Sequence, residues 1–357
     1  MMKIAIFMPR IVGGGSERFA TVLANGLCAR DYDVRLLTGP PKKGEYYLSN
    51  KVKRFILYKK ISLLKDAKTL HDYLKTNQID VCVAVGVYPN MVAALANINL
   101  KTFIILSERN APKQDHLTLR IRILRKFLYW RGDAFVFQTP DAKAFYSKSI
   151  QKRGIVIPNP LLENLPIRIK NTRHEIVAVG RLMPQKNYPL LLAAFAMVEK
   201  KHPNYILRIF GRGPLEEKLK SYAESLGIAD KVIFEGFSLN VHDIIKESEI
   251  YVLSSDFEGL PNALMEAMAM GFPVVSTDCP CGGPKMIIEN EINGVLVPVG
   301  NTELMASSIC RFIEDADFRE NCANEAFNVR ERFCVENILN QWEDVFSKYV
   351  NNIQTVN

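Results

Sequence analysis

Two periods of hydrophobicity alternate along the chain. Short runs of β-branched and apolar residues predict strands at Lys3–Met8, Asp33–Leu37, Asp80–Val85, Thr102–Leu106 and Ala134–Phe137. Between them, apolar residues at helical spacing predict helices at Ser16–Ala29, Leu63–Thr76, Asn90–Ala96 and Leu117–Arg131. A Pro-rich stretch, Ile157-Pro158-Asn159-Pro160 to Leu165-Pro166, interrupts this order and reads as a linker. The alternation then restarts, with strands predicted at Glu175–Val179, Ile206–Phe210, Val232–Phe234, Ile250–Leu253 and Pro273–Ser276. Helices at Glu303–Ile313, Phe318–Arg332 and Val335–Tyr349 close the chain. Strands that are apolar at successive positions are buried on both faces, so the expected fold class is α/β: two Rossmann-like parallel-sheet domains, over 1–165 and 166–334.

Length and composition agree with this division. The 357 residues exceed one ordinary core, and 48% hydrophobic with 24% charged residues describes a normal globular protein. No run approaches the roughly 20 apolar residues of a membrane span, and Met-Met-Lys leads straight into a strand without a signal region. The expected location is therefore cytoplasmic. Seven cysteines without framework spacing fit reduced thiols, and Cys279-x-Cys281 has no nearby His to suggest zinc. The net charge of +8 is uneven: residues 1–165 hold 27 Lys/Arg against 12 Asp/Glu, and the remainder 19 against 26. Two domains with different partners would produce that split.

The richest chemistry lies in Ser255-Asp256-Phe257-Glu258-Gly259-Leu260-Pro261-Asn262, between the strand Ile250–Leu253 and an Ala/Leu/Met-rich helix. Gly259 permits close backbone approach, Pro261 stiffens the turn, and Asn262 is a candidate N-cap for a helix starting at Ala263. Amides at that helix start would face the crevice at the strand's carboxyl end, where an anion is favoured. Glu258 and Glu266 could line one pocket and accept hydrogen bonds from sugar or ribose hydroxyls. A dipole-complementing Glu266 and a solvated Glu258 are the plainer alternative.

Three further βα turns carry glycine or cations. Gly13-Gly14-Gly15-Ser16-Glu17-Arg18 permits phosphate approach, yet Arg18 replaces the glycine of a dinucleotide fingerprint and no ribose-binding acid follows Leu37-Thr38-Gly39, which disfavours NAD. In Gly180-Arg181-Leu182-Met183-Pro184-Gln185-Lys186-Asn187 the two cations can clamp a diphosphate, each charge-assisted bond contributing roughly 1.5 to 3 kcal/mol. Gly211-Arg212-Gly213-Pro214-Leu215 repeats the arrangement.

In this order, Gly-Arg-Leu-x-x-x-Lys-Asn, Gly-x-Gly-Pro-Leu and Glu258-x7-Glu266 resemble the retaining, nucleotide-sugar-dependent glycosyltransferases of family 4, over nearly the whole chain. Ser107-Glu108-Arg109-Asn110 and Thr277-Asp278-Cys279-Pro280 also fit. The resemblance implies a GT-B architecture, with two Rossmann-like domains facing across a cleft and a last helix, about 335–357, packing back on the first domain. It implies donor diphosphate on Arg181 and Lys186, sugar on Glu258, and ribose on Glu266. Backbone around Gly259, Leu260, Pro261 and Asn262 would meet sugar and phosphates, with Gly211 in the same donor site and Gly14 and Gly15 approaching from the opposite wall. Two departures stand out. Arg109 occupies a place where many relatives carry His, leaving phosphate or acceptor contact as its expected role, and Gly283-Pro284-Lys285-Met286 lacks an acid common in relatives.

The mechanism so implied is same-face transfer with retention through an oxocarbenium-like ion pair. Arg181, Lys186 and backbone amides would stabilise the leaving diphosphate at roughly 3 kcal/mol per well-placed donor, without a metal or other cofactor.

In the basic half, Lys51 to Lys60 and the helix carrying Arg120, Arg122, Arg125 and Lys126 interleave cations with apolar residues. Such segments suit an anionic membrane surface, at about 1 kcal/mol per basic residue. The expected acceptor is a polyprenyl-diphosphate-linked saccharide at the inner face of the cell membrane, and the expected donor carries UDP and a hexose or N-acetylhexosamine. A basic nucleic-acid-binding protein leaves the anion-binding turns and paired Glu unexplained, so no nucleic-acid partner is expected. Another GT-B enzyme, such as a nucleotide-sugar epimerase or a phosphorylase, remains the alternative.

Overall fold

The computed structural model describes residues 1–58, 61–113, 117–170 and 173–354, the side chains of 349–354 excepted. The chain divides into two compact units, Met1–Pro160 with Val335–Asn357, and Leu161–Cys334.

The first unit is built on seven strands: Lys3–Phe7 (β1), Asp33–Thr38 (β2), Lys53–Ile56 (β3), Val81–Val85 (β4), Phe103–Glu108 (β5), Ala134–Phe137 (β6) and Gly154–Val156 (β7). They pair in parallel in the order β3-β2-β1-β4-β5-β6-β7. Every residue of β4, β5 and β6 is buried, as a sheet covered on both faces requires. The strand order reverses between β1 and β4, which is where an open α/β sheet forms its ligand crevice.

The closing helix Val335–Gln354 packs on the helix Gly15–Ala29 of this unit. Its Trp342 is fully buried, 5.8 Å from the Phe19 ring, and Phe346 stacks beside it. Gly26 is what lets the two helices approach: a Cβ there would lie 2.5 Å from Leu339 Cδ1. Arg30 adds an ion pair to Glu343 and a hydrogen bond to Asn340 at 2.7 Å.

The second unit has six strands: Glu175–Val179 (β8), Ile206–Phe210 (β9), Val232–Gly236 (β10), Ile250–Leu253 (β11), Val274–Thr277 (β12) and Val295–Val297 (β13). All are parallel, in the order β10-β9-β8-β11-β12-β13, with the reversal between β8 and β11. One apolar cluster fills the space around the helices Tyr188–Lys201 and Thr302–Glu314, and a second surrounds the helix Asn262–Ala269.

Three edge strands lie outside the expected elements, β3, β7 and β13, the last two only three residues long. In β3 the reason is electrostatic. Lys53 and Arg54 belong to the strand, Lys53 pairing with Asp33 at 3.1 Å and Arg54 with Glu45 at 2.6 Å. That part of the basic segment 51–60 is thus engaged in ion pairs, with β2 and with the loop before β3; Lys59 and Lys60 lie outside the described residues. The expected helix Phe318–Arg332 is two helices, Ala316–Phe327 and Val329–Arg332, joined at Asn328.

Replacing Trp342 by Ala removes the largest side chain at the seam between the first and last helices. It should lower the unfolding free energy by roughly 3 to 5 kcal/mol, measured by urea denaturation.

Candidate active site

The turns after β8 and β11 meet at the point where the second sheet's strand order reverses. After β8 the chain makes a tight turn, Pro184–Lys186, and Asn187 takes a left-handed conformation (φ 42°). Asn187 then caps the helix Tyr188–Lys201 through Leu190 N and donates Nδ2 to Asp256 Oδ1 at 2.6 Å. Ser254 Oγ donates to the Lys186 carbonyl at 2.8 Å, and Asp256 N to the Gln185 carbonyl at 2.8 Å. Two loops 70 residues apart in sequence are thereby held as one surface.

On that surface Lys186 Nζ lies 2.6 Å from Glu258 Oε1. Both side chains are largely buried, at 14% and 9% accessibility. Ser255 Oγ donates to the same carboxylate oxygen at 2.7 Å, and Gln185 Nε2 reaches Oε2 at 3.3 Å and the Phe257 carbonyl at 2.9 Å. Residues assigned by sequence to different parts of a ligand are thus direct partners. Gln185 and Ser255 complete the cluster and carried no distinguishing sequence signal. Arg181, in the same turn, is exposed and makes no side-chain hydrogen bond or ion pair among the described residues.

The glycines serve close backbone approach. Gly211 has φ 143°, and a Cβ there would overlap the carbonyl of Gly180; one on Gly213 would overlap that of Leu182. The turn after β9 therefore lies directly against the turn carrying Arg181. Gly283 makes a similar approach to Gly259, with its Cβ position 2.8 Å from Pro261 Cδ. Gly259, Leu260 and Pro261 are buried, so what this turn can offer a ligand is backbone.

Asn262 is not the cap. The helix runs Asn262–Ala269 with the extended Pro261 at the N-cap position and no side-chain cap. The cap position falls on Pro261, whose ψ of 98° is extended, and the first helical bond runs from Met265 N to the Pro261 carbonyl at 3.1 Å. Within the helix, Glu266 is buried, and its Oε2 lies 2.9 Å from Nε2 of His242. His242 belongs to the helix Val241–Ile245 after β10, so only the fold brings it to Glu266.

In the first unit, Gly14 is the extended N-cap of the helix Gly15–Ala29. The Glu17 carboxylate sits against Gly14, where any Cβ would meet it, and accepts from Arg10 at 3.1 Å. Arg109 departs from its expected role. It is fully enclosed: its guanidinium lies 3.6 Å over the Phe19 ring, donates to Ser107 Oγ at 2.8 Å, and reaches the Ile157 carbonyl and Asn159 Oδ1. Burial pulls its pKa down to about 9. Arg109 therefore ties β5 to the helix Gly15–Ala29 and to the linker start, with its Nη2 left without a hydrogen-bond partner among the described residues.

Arg125 is corrected in the same way. On the helix Leu119–Tyr129, Arg122 and Lys126 are exposed while Arg125 is buried, lying 5.8 and 5.9 Å over the Phe145 and Tyr146 rings and donating to the Pro112 carbonyl. Aromatic faces and a carbonyl replace water around it. Beside these cations the helix exposes large apolar side chains, Leu119 at 72% and Phe127 at 66%, with Trp130 just beyond it at 64%.

All seven cysteines are free, and burial beside Glu258 pushes the Cys279 thiol up to about 12, an inert state. Among the described residues, the group compact enough to hold a metal ion is His202, Cys310 and Glu314, away from these turns.

Both units carry a Rossmann-like parallel sheet, and in the second the glycine- and cation-bearing turns stand at the carboxyl ends of the strands. Residues 13–161 match the model of Glycosyltransferase Family 4 and residues 165–329 that of Glycosyl transferases group 1. An uncharacterized glycosyltransferase of Haemophilus influenzae is 30% identical over 97% of this chain and 100% of its own. The Campylobacter jejuni GalNAc-alpha-(1->4)-GalNAc-alpha-(1->3)-diNAcBac-PP-undecaprenol alpha-1,4-N-acetyl-D-galactosaminyltransferase is 29% identical, over 98% of this chain and 100% of its own. The structure of Anabaena HepE in complex with UDP-glucose superposes with a TM-score of 0.82 at 18% identity, over 98% of this chain and 100% of that one, a likeness of fold. The chain belongs to the family-4 glycosyltransferases.

Replacing Lys186 by Met should leave Glu258 as an uncompensated buried charge and destabilise the second unit by about 3 kcal/mol. The double variant Lys186→Met/Glu258→Gln should recover most of that loss in a chemical-denaturation series.

Proposed function

We propose that this glycosyltransferase moves a hexose or N-acetylhexosamine, with retention, from a nucleoside-diphosphate sugar to a polyprenyl-diphosphate-linked saccharide. The observation that carries the reading is the Lys186–Glu258 pair at the β8/β11 reversal, with the unpartnered Arg181 cation in the same turn. Arg181 and Lys186 take the donor diphosphate and stabilise it as it leaves, at roughly 3 kcal/mol per well-placed donor. Glu258, poised by Ser255 and Gln185, accepts from a hydroxyl of the transferred sugar. Glu266 accepts from the ribose, and backbone at Gly211 and at Gly259 to Asn262 lies nearest the ligand. Two cations in one turn supply the positive charge that a metal would otherwise bring, so the reaction is metal-independent in this reading.

UDP as the nucleotide is supported by the HepE complex with UDP-glucose, and a lipid-linked acceptor by the name of the Campylobacter relative. Among the described residues no helix is long and apolar enough to cross a membrane. Attachment at the inner membrane face instead uses the helix Leu119–Tyr129, whose outward side combines Arg122 and Lys126 with Leu119 and Phe127, and with Trp130 just beyond. Cations beside exposed apolar side chains are the composition of an interfacial helix on anionic lipid.

Thermal-shift titration with UDP-, GDP- and ADP-sugars in EDTA should show stabilisation by one nucleotide class, lost in Glu266→Ala. No shift with any of them would refute the donor reading. For the membrane surface, Arg122→Glu/Lys126→Glu and Phe127→Ser should each release the protein from anionic liposomes in a flotation assay, while donor binding stays unchanged.

A further inference from the structure

We propose that His242 is the positioning residue that sets the carboxylate of Glu266 to read the ribose of the donor nucleotide. The inference rests on Glu266 being the ribose-binding acid.

The two residues come from opposite sides of the strand-order reversal. His242 lies in the helix after β10 and Glu266 in the helix after β11, while the reversal falls between β8 and β11. Their contact, 2.9 Å from Nε2 to Oε2, therefore spans the crevice region where α/β sheets bind ligands. Glu266 is nearly enclosed at 8% side-chain accessibility, while the imidazole retains 20%.

A glutamate has three side-chain torsions, and a hydroxyl-reading carboxylate must present its oxygens in one plane. An imidazole N–H on one oxygen fixes that plane, and with it the direction in which the carboxylate meets ribose hydroxyls. The ring does this as the tautomer that carries its proton on Nε2. Ordering the carboxylate before the ligand arrives removes part of the ordering cost of binding. A contact that served only to join the two helices would instead affect all nucleotides alike.

The test compares each nucleoside diphosphate with its 2′,3′-dideoxy analogue by isothermal calorimetry, using UDP, GDP and ADP on the full chain. The wild-type protein should prefer the ribose form of the base it binds by about 10- to 100-fold, the range expected for hydrogen bonds to a buried charge. His242→Ala should weaken the ribose form severalfold, leave the dideoxy form within about twofold, and so shrink the preference. His242→Gln, whose amide can donate to the same oxygen, should keep most of it. Equal weakening of both forms in His242→Ala, or no weakening of either, overturns the positioning role while the donor site stands. A wild-type protein that binds both forms equally removes the ribose role of Glu266, and the inference with it. Failure to bind any nucleotide removes the donor reading as well.

Discussion

The ion pair between Lys186 and Glu258 is the constraint around which the second unit's functional surface is built. Two largely buried opposite charges at 2.6 Å are tolerable only if their remaining hydrogen-bonding capacity is used. Ser255 and Gln185 meet that need on the carboxylate. Their loops must then be held in register, which the Asn187–Asp256 and Ser254–Lys186 hydrogen bonds do. The register in turn needs backbones closer than any side chain allows, hence glycine at 211 and 283. Each device is local, yet all of them serve to keep one cation and one carboxylate at the end of β8 and β11.

The excess positive charge of the first half has a different physical meaning from the one its sum suggests. Several of its cations are committed internally. Arg109 lies on Phe19, Arg54 clasps Glu45, Lys53 pairs with Asp33, Arg30 joins Glu343 of the closing helix, and Arg125 lies over aromatic rings. Glu108, also buried, is surrounded by the hydroxyls of Tyr129 and Tyr146, whose pKa values are driven up by burial and by that carboxylate. Arginine suits such positions because its planar cation can be desolvated against π faces at lower cost than an ammonium. A net charge counts these groups as surface field when they act as internal ties.

Much of the fold was legible in the sequence because central strands of a parallel sheet are apolar at every position. Val81–Val85, Ala134–Phe137 and Ile250–Leu253 could hardly be anything else, whereas Lys53–Ile56 and Gly154–Val156 have too few buried residues to carry a pattern. The site was legible where spacing alone brings groups together, as in Gly180 to Asn187. It was not legible where the fold does so. Neither the direct Lys186–Glu258 contact nor the approach of His242 to Glu266 leaves a trace in local sequence, and Asn262, a good cap by type, is already the first helical residue.

The helix Leu119–Tyr129 shows how polarity can mislead about which way a side chain faces. Its buried positions are Arg125, Leu128 and Tyr129, at the three- and four-residue spacing of one helical face, so periodicity does identify the inner stripe. Hydrophobicity does not, because an arginine lies inside and Leu119, Ile123 and Phe127 lie outside. A helix that buries a cation while exposing large apolar groups has two separate requirements to satisfy. The inner one is met by the Phe145 and Tyr146 rings and the Pro112 carbonyl. The outer one is an apolar surface flanked by Arg122 and Lys126, a contiguous exposed patch of the kind that marks an interaction face.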